Sequence, residues 1–217
     1  LINLNNTPLQ IYRAHLPISL LHLRDDLARV QSIFNFEQGP FSCSIPLAHS
    51  KLLHESFSEH YNNNPHADVI DKGEYPAFQA IYDLIPSPKA SFRLIRRPPF
   101  SAYELHTDHD RGKNVCRLQV PIYSGQNAFL CLSDKKNIPE IRSVADLYTP
   151  EKFAKRFAIN RIEALQEGWL YAFSVDYIHT LYNGESTDRI TLIIDVVMDN
   201  CFNLWWKQNM IPIINPK

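Results

Sequence analysis

Cysteine is scarce and scattered: the 217-residue chain has four, Cys43, Cys116, Cys131 and Cys201. Without a Cys-x-x-Cys pair or anything near disulfide-scaffold density, their expected role is packing. Neither sign of charge dominates, with 22 Lys and Arg against 23 Asp and Glu. No net field therefore draws the chain to a nucleic-acid backbone or an anionic membrane, and a small or neutral partner is expected. No apolar run is long enough to span a bilayer. The N-terminus lacks the basic-then-apolar order of a secretory signal, and no repeat or low-complexity segment stands out. The chain starts at Leu1 rather than Met, which leaves a trimmed leader open, and Asn5-Asn6-Thr7 matches a glycosylation sequon. A cytoplasmic protein is the expectation.

What is present divides in two. Leu20, Leu23, Leu27, Val30 and Phe34 recur at spacings of three and four, the mark of one helix face, and Leu53, Phe57 and Tyr61 repeat it. "NNNP" at 62–65 reads as a loop, and "EYPAFQAIYDLIP" as a short helix with Phe78, Ile81, Tyr82 and Ile85 inward. From Ser91 short β-rich runs take over: "SFRLIRR", "AYELHTD", "VCRLQVPIY", "NAFLCLS", "GWLYAFSV", "YIHTLY" and "RITLIIDVVM". One helix interrupts them, with Thr149 as N-cap, Pro150 and Glu151 in the first turn, and Phe153 and Phe157 on one face. The length suits one domain over 1–217. It is expected to comprise a mainly helical buttress at 1–90 and a β core at 91–217 with a helical insertion at about 133–166. The absence of βαβ alternation predicts an α+β, mainly β fold, either a sandwich or a double-stranded β-helix of the jelly-roll type.

The chemistry concentrates in "ELHTDHDRG", residues 104–112. If 103–108 is extended, a period of two points His106 and Asp108 to one face and Thr107 to the other. An imidazole and a carboxylate on one strand end are two-thirds of the facial triad that holds iron(II) and leaves its other positions open. An isolated His-x-Asp is more often a solvated turn. Its weight comes from His179 in "SVDYIHTLYNGES" and from Arg189, which opens "RITLIIDVVM" after the "NGES" turn. Alternation places Arg189, Thr191 and Ile193 on one face of that last strand. An arginine there is either a rim residue with its head in solvent or a planar donor fork awaiting a carboxylate.

His106-x-Asp108, His179 and Arg189 in "RITLIIDV" resemble the iron(II)/2-oxoglutarate oxygenases, and the sequence around them looks most like the aspartyl/asparaginyl β-hydroxylases, which include proline cis-hydroxylases. The resemblance covers about residues 91–199 and none of the N-terminal helices. It implies a double-stranded β-helix (jelly roll, cupin-like), with His106, Asp108 and His179 as ligands of Fe(II). It implies 2-oxoglutarate as co-substrate with O2, held by Arg189 and Arg117. The family's Arg-x-His strand appears here as "CRLQVPI", so Arg117 matches while Gln119 stands at the histidine position as a hydrogen-bonding substitute. The implied reaction is hydroxylation of an unactivated C–H of an amino acid, free, carrier-bound or peptidyl, with release of succinate and CO2. Asp108 keeps the chain with the members that retain the carboxylate, which disfavours halogenation.

Other residues carry less. His109 and Asp110 are read as loop, with Asp110 the spare ligand, and Asp176 as a turn cap. His15, His22, His49, His54, His60 and His66 lack ligand-like spacing. Asp195, inside an apolar strand, is costly unless paired, so an ion pair or a hydrogen bond near the site is expected. At least two of Arg93, Arg96 and Arg97 are expected on the surface. Trp169 is assigned to packing, and Trp205 and Trp206 to a barrel mouth or an edge strand. The segment Ser133 to Gln166 is the expected lid. Two rivals remain: a non-catalytic jelly-roll protein binding a small ligand or a metal, and a 2-oxoglutarate-independent cupin enzyme.

Overall fold

Alternation along one strand, Arg189–Val197, divides the molecule into an inside and an outside. Ile190, Leu192, Ile194 and Val196 face a helical layer, while Arg189, Thr191, Ile193 and Asp195 face the gap between two sheets. The computed structural model describes residues 9–33, 36, 43–48, 73–103, 105–108, 115–134 and 150–214. In chain order the described strands are β1 (Ile11–His15), β2 (Cys43–Pro46), β3 (Lys89–Arg97), β4 (Ser101–Ala102), β5 (Val115–Tyr123), β6 (Ala128–Ser133), β7 (Arg161–Ala164), β8 (Trp169–Phe173), β9 (Ile178–Asn183), β10 (Arg189–Val197) and β11 (Ile211–Pro212). They form a seven-stranded sheet, β11-β1-β8-β5-β10-β3-β2, and a four-stranded sheet, β4-β9-β6-β7. All pairings are antiparallel. The strands from β3 to β10 shuttle between the sheets in the interleaved order of a jelly roll, the double-stranded β-helix of cupin-like proteins.

The helices lie mainly on the outer face of the larger sheet. In α1 (Leu20–Ile33) the predicted stripe is fully buried at Leu23, Leu27 and Val30. Ser19 Oγ accepts from the Leu21 N–H at its start. In α2 (Pro76–Leu84) the proline sits in the first turn, and Phe78 and Ile81 face the sheet. Its free N–H groups are satisfied from outside: Asp26 of α1 accepts from Ala77 (2.7 Å) and Phe78 (3.1 Å). Each such buried Leu, Ile or Phe contributes roughly 1.5–3 kcal/mol. A third helix, α3 (Pro150–Phe157), covers the smaller sheet by packing Phe153 and Phe157 against Cys131 and Tyr182.

Several expectations are corrected. To the mainly helical N-terminal third the structure adds two short strands: β1 pairs with β8 and β2 with β3, extending the larger sheet at both flanks. Trp205 and Trp206 belong to a helix, α4 (Asn200–Asn209), capped by Asp199, whose carboxylate accepts from the Phe202 N–H. Phe202, Trp205 and Trp206 are helix-spaced and pack with Tyr12 on the outside of the larger sheet, away from any barrel mouth. Of the expected lid, Ser133 to Gln166, residues 135–149 lie outside the described residues; in the remainder β7 pairs with β6 and α3 packs on the smaller sheet. Cys116 and Cys131 are buried as expected, whereas Cys201 is exposed. The predicted helix at 53–61, the loop at 62–65, Phe34 and Thr149 lie outside the described residues.

The "NGES" turn carries the chain from β9 across to β10. A Cβ on Gly184 would lie 2.8 Å from the Tyr182 ring and 3.0 Å from the Asn127 carbonyl, so a side chain has no room. The buried Asn183 amide donates to the carbonyls of Arg97, Pro98 and Thr187 and holds the crossover in place. Among the described residues, no helix is long and apolar enough to cross a membrane.

Candidate metal centre

Ser101–Tyr103 and Leu105–His106 run along β9, pairing Ala102 with Tyr182 and, with the register shifted by one residue, His106 with His179. Because side chains alternate, that slip reverses which face each residue presents. Ala102 and Leu105 pack on the outer cluster under α3, while His106 turns inward to meet His179. Two backbone bonds lock the pair, His106 N–H to the His179 carbonyl (3.2 Å) and the reverse (2.9 Å). The Asp108 N–H donates to the Val175 carbonyl (3.1 Å).

His106, Asp108 and His179 thereby offer three ligand atoms within 4.8 Å of one another. Asp108 Oδ1 lies 3.7 Å from His106 Nε2, and Oδ2 lies 3.4 Å from His179 Nε2. Adjacent ligands on an octahedral ion stand about 3.0 Å apart, so small side-chain adjustments suffice to close on one. His179 is ready for the role. Its Nδ1 lies 2.9 Å from the Tyr177 carbonyl, which favours a proton there and leaves Nε2, without a hydrogen-bond partner among the described residues, as the ligand atom. Phe173 closes over the ring from the opposite sheet at 5.1 Å. Two imidazoles and a carboxylate fit a divalent metal, and among the described residues no fourth ligand joins these three.

The remaining predicted residues line the larger sheet's inner face. Arg117 is 6% exposed and already engaged: its Nε and Nη2 grip both oxygens of Asp195 (2.8 and 3.1 Å), and its Nη1 donates to Asp108 Oδ2. The resemblance gave Arg117 a share in holding 2-oxoglutarate; here each of its three nitrogens donates to a carboxylate. Asp195, fully buried, is the paired carboxylate expected of it. Arg189 is the contrary case. It is 1% exposed, and its Nη1 donates to the carbonyls of Phe129 and Tyr182, while Nε and Nη2 have no hydrogen-bond partner among the described residues. Burial lowers its pKa to about 10, with Arg97, its cross-strand neighbour, pushing the same way. The guanidinium thus stays protonated near neutrality. The nearby Cys131 thiol is pushed up to about 12 by burial and supplies no counter-charge. Gln119, fully buried, has neither amide atom hydrogen-bonded among the described residues, and neither has the Thr191 hydroxyl.

At least two of Arg93, Arg96 and Arg97 were expected at the surface, but Arg93 and Arg97 are both 8% exposed on the inner face, and Arg96 keeps a partly covered head near Asp188. Arg97 lies over the Tyr103 ring, whose edge meets His106. This row, the slip that turns His106 inward and the Asp195 grip on Arg117 were missed by sequence reasoning. Only the buried-aspartate rule pointed toward any of them. Asp176 is exposed, and its N–H donates to Ser174 Oγ. His15 and His22 are exposed, as their lack of ligand spacing suggested. Trp169 packs edge-on to His15 under Arg13. His49, His54, His60, His66, His109 and Asp110 lie outside the described residues.

No family model and no curated protein sequence matches the chain. Among solved structures it is similar to an oxidoreductase of the 2OG-Fe(II) oxygenase family from Burkholderia pseudomallei (TM-score 0.48, 11% identity, covering 83% of this chain and 78% of that one). It is also similar to a prolyl-4-hydroxylase from Pseudomonas putida (TM-score 0.46, 14% identity, 87% and 92% covered). A third is HygX from Streptomyces hygroscopicus with nickel, 2-oxoglutarate and hygromycin B bound (TM-score 0.48, 13% identity, 88% and 83% covered). All three are similarities at low identity, and the fold stated above rests on this chain's own strand order.

Proposed function

We propose that the chain is an iron(II)- and 2-oxoglutarate-dependent oxygenase that hydroxylates an unactivated C–H of an amino acid or a peptidyl or amino-acid-derived substrate. The observation that carries this reading is the pairing of a three-ligand metal site with a buried arginine fork whose Nε/Nη2 edge has no partner among the described residues, both in one jelly-roll interior. His106, Asp108 and His179 would hold the metal. A metal held there would supply the coupling of 2-oxoglutarate decarboxylation by O2, to succinate and CO2, with oxidation of the substrate.

The chain's own contribution is orientation. Arg189 is aimed by two carbonyls and presents the parallel N–H pair of one guanidinium edge, which suits the distal carboxylate of a 2-oxo diacid. A buried guanidinium without a counter-ion costs several kcal/mol, about what a carboxylate ligand would recover. Gln119 and the Thr191 hydroxyl supply neutral hydrogen bonds along the same face.

The test is an anaerobic titration of iron(II) and 2-oxoglutarate into the purified protein, following the visible charge-transfer band of an iron-bound 2-oxo acid. The band is expected in the wild type and absent in His179→Ala. A folded, iron-loaded protein that shows no band would sink the reading in favour of a metal- or ligand-binding jelly roll. Intact activity in Arg189→Ala would favour a 2-oxoglutarate-independent cupin enzyme.

A further inference from the structure

Resting on the metal reading above, we propose that Asp195 and Arg117 are positioning residues that make Asp108 a one-oxygen ligand and keep the remaining metal positions open. A carboxylate beside a metal can bind through one oxygen or two, and binding through two consumes a position that small molecules would otherwise use. The Arg117 guanidinium occupies Oδ2 of Asp108 through Nη1, which leaves Oδ1 as the oxygen without that competitor. The guanidinium is itself immobilised, because its opposite edge is clamped in two-point fashion by Asp195, at 2.8 and 3.1 Å. Register makes the clamp part of the sheet: Asp195 of β10 and Arg117 of β5 are direct cross-strand partners.

Charge points the same way. Asp108, Arg117 and Asp195 sum to one negative charge, which attracts a dication. Neutralising Asp195 brings that sum to zero and removes one of the carboxylates that hold Arg117, so Arg117 competes more strongly with the metal for Asp108. Replacing Arg117 and Asp195 together by apolar residues keeps the negative charge but removes the clamp. The two changes therefore separate electrostatic attraction from orientation.

The experiment is titration of the full chain with Co(II) alone, reading affinity and the visible spectrum, whose band shape reports how many ligands surround the ion. Wild type is compared with Asp195→Asn and with the double variant Arg117→Met/Asp195→Leu, and circular dichroism with a cooperative melt establishes folding. Asp195→Asn is expected to weaken Co(II) binding about 100-fold and the double variant about 10-fold, the span seen when groups behind metal ligands are removed. Both spectra should differ from that of the wild type. Wild-type affinity and spectrum in the folded variants would overturn the proposal and reduce the pair to a structural ion pair. Should Asp195→Asn not fold, the double variant decides, since apolar replacement of a buried ion pair is often tolerated. A wild type that binds no Co(II) would overturn the metal reading and this proposal together, and that outcome is visible before any variant is compared.

Discussion

At the scale of single residues the interior contrasts two arginines in similar surroundings. The Nε/Nη2 edge of Arg117 is filled by Asp195, while the same edge of Arg189 is open among the described residues. Arg189→Ala is therefore expected to raise the 2-oxoglutarate concentration at half-saturation on the order of 100-fold, the cost of losing one partner of a buried charge pair. Metal affinity should stay near wild type, which calorimetry with Co(II) checks. Asp108→Asn should weaken metal binding less than loss of His179. Alternation put His106 and Asp108 on one face, and the family resemblance joined His179 to them; the structure brings the three together. The occupation of Arg117 could not be read in advance, because a cross-strand partner 78 positions away leaves no mark near "CRLQV". The burial of Arg93 and Arg97 was misread for a related reason: arginine usually lies outside, and only the register against β10 places these two in the gap.

At the scale of elements, stability hangs on helix ends that are capped from a distance. Asp26→Ala would leave the first N–H groups of α2 unsatisfied and cost about 1–3 kcal/mol, measurable as a fall in the denaturant midpoint. Asp199 caps α4, and the Phe202 N–H together with the Ser87 hydroxyl (2.6 Å) holds its pKa below the ordinary carboxylate value. A depressed folded-state pKa means the contribution is present above the unfolded value, about 3.9, and is lost as pH falls through the folded one. Asp199→Ala should thus lower the melting temperature at pH 7 and have progressively less effect in the acid range below pH 4. Long periodic segments were readable in advance: α1, α2, α3 and most core strands fall where spacing and β-branched residues put them. Short pieces were not. β1, β2 and β7 span only five, four and four residues, too few for periodicity to declare itself, and their pairing comes from the sheets they complete.

For the whole molecule, His179 on β9 and the segment that pairs with it place the metal ligands at the smaller sheet, while Arg117, Asp195 and Arg189 stand on the larger sheet. An ion at His106, Asp108 and His179 would therefore tie the two layers together through Asp108. Co(II) at about 100 times its dissociation constant should stabilise the folded state by about 2.7 kcal/mol, and His179→Ala should abolish the gain. Thermal unfolding with and without the ion checks both. The backbone bridge between His106 and His179 has a consequence for what the site will accept. In the language of coordination chemistry the two imidazoles are a rigid chelate, assembled during folding rather than at metal capture. Selectivity among dications then falls to the third ligand, and ions that demand a tetrahedral shell should be handicapped against those content with one octahedral face.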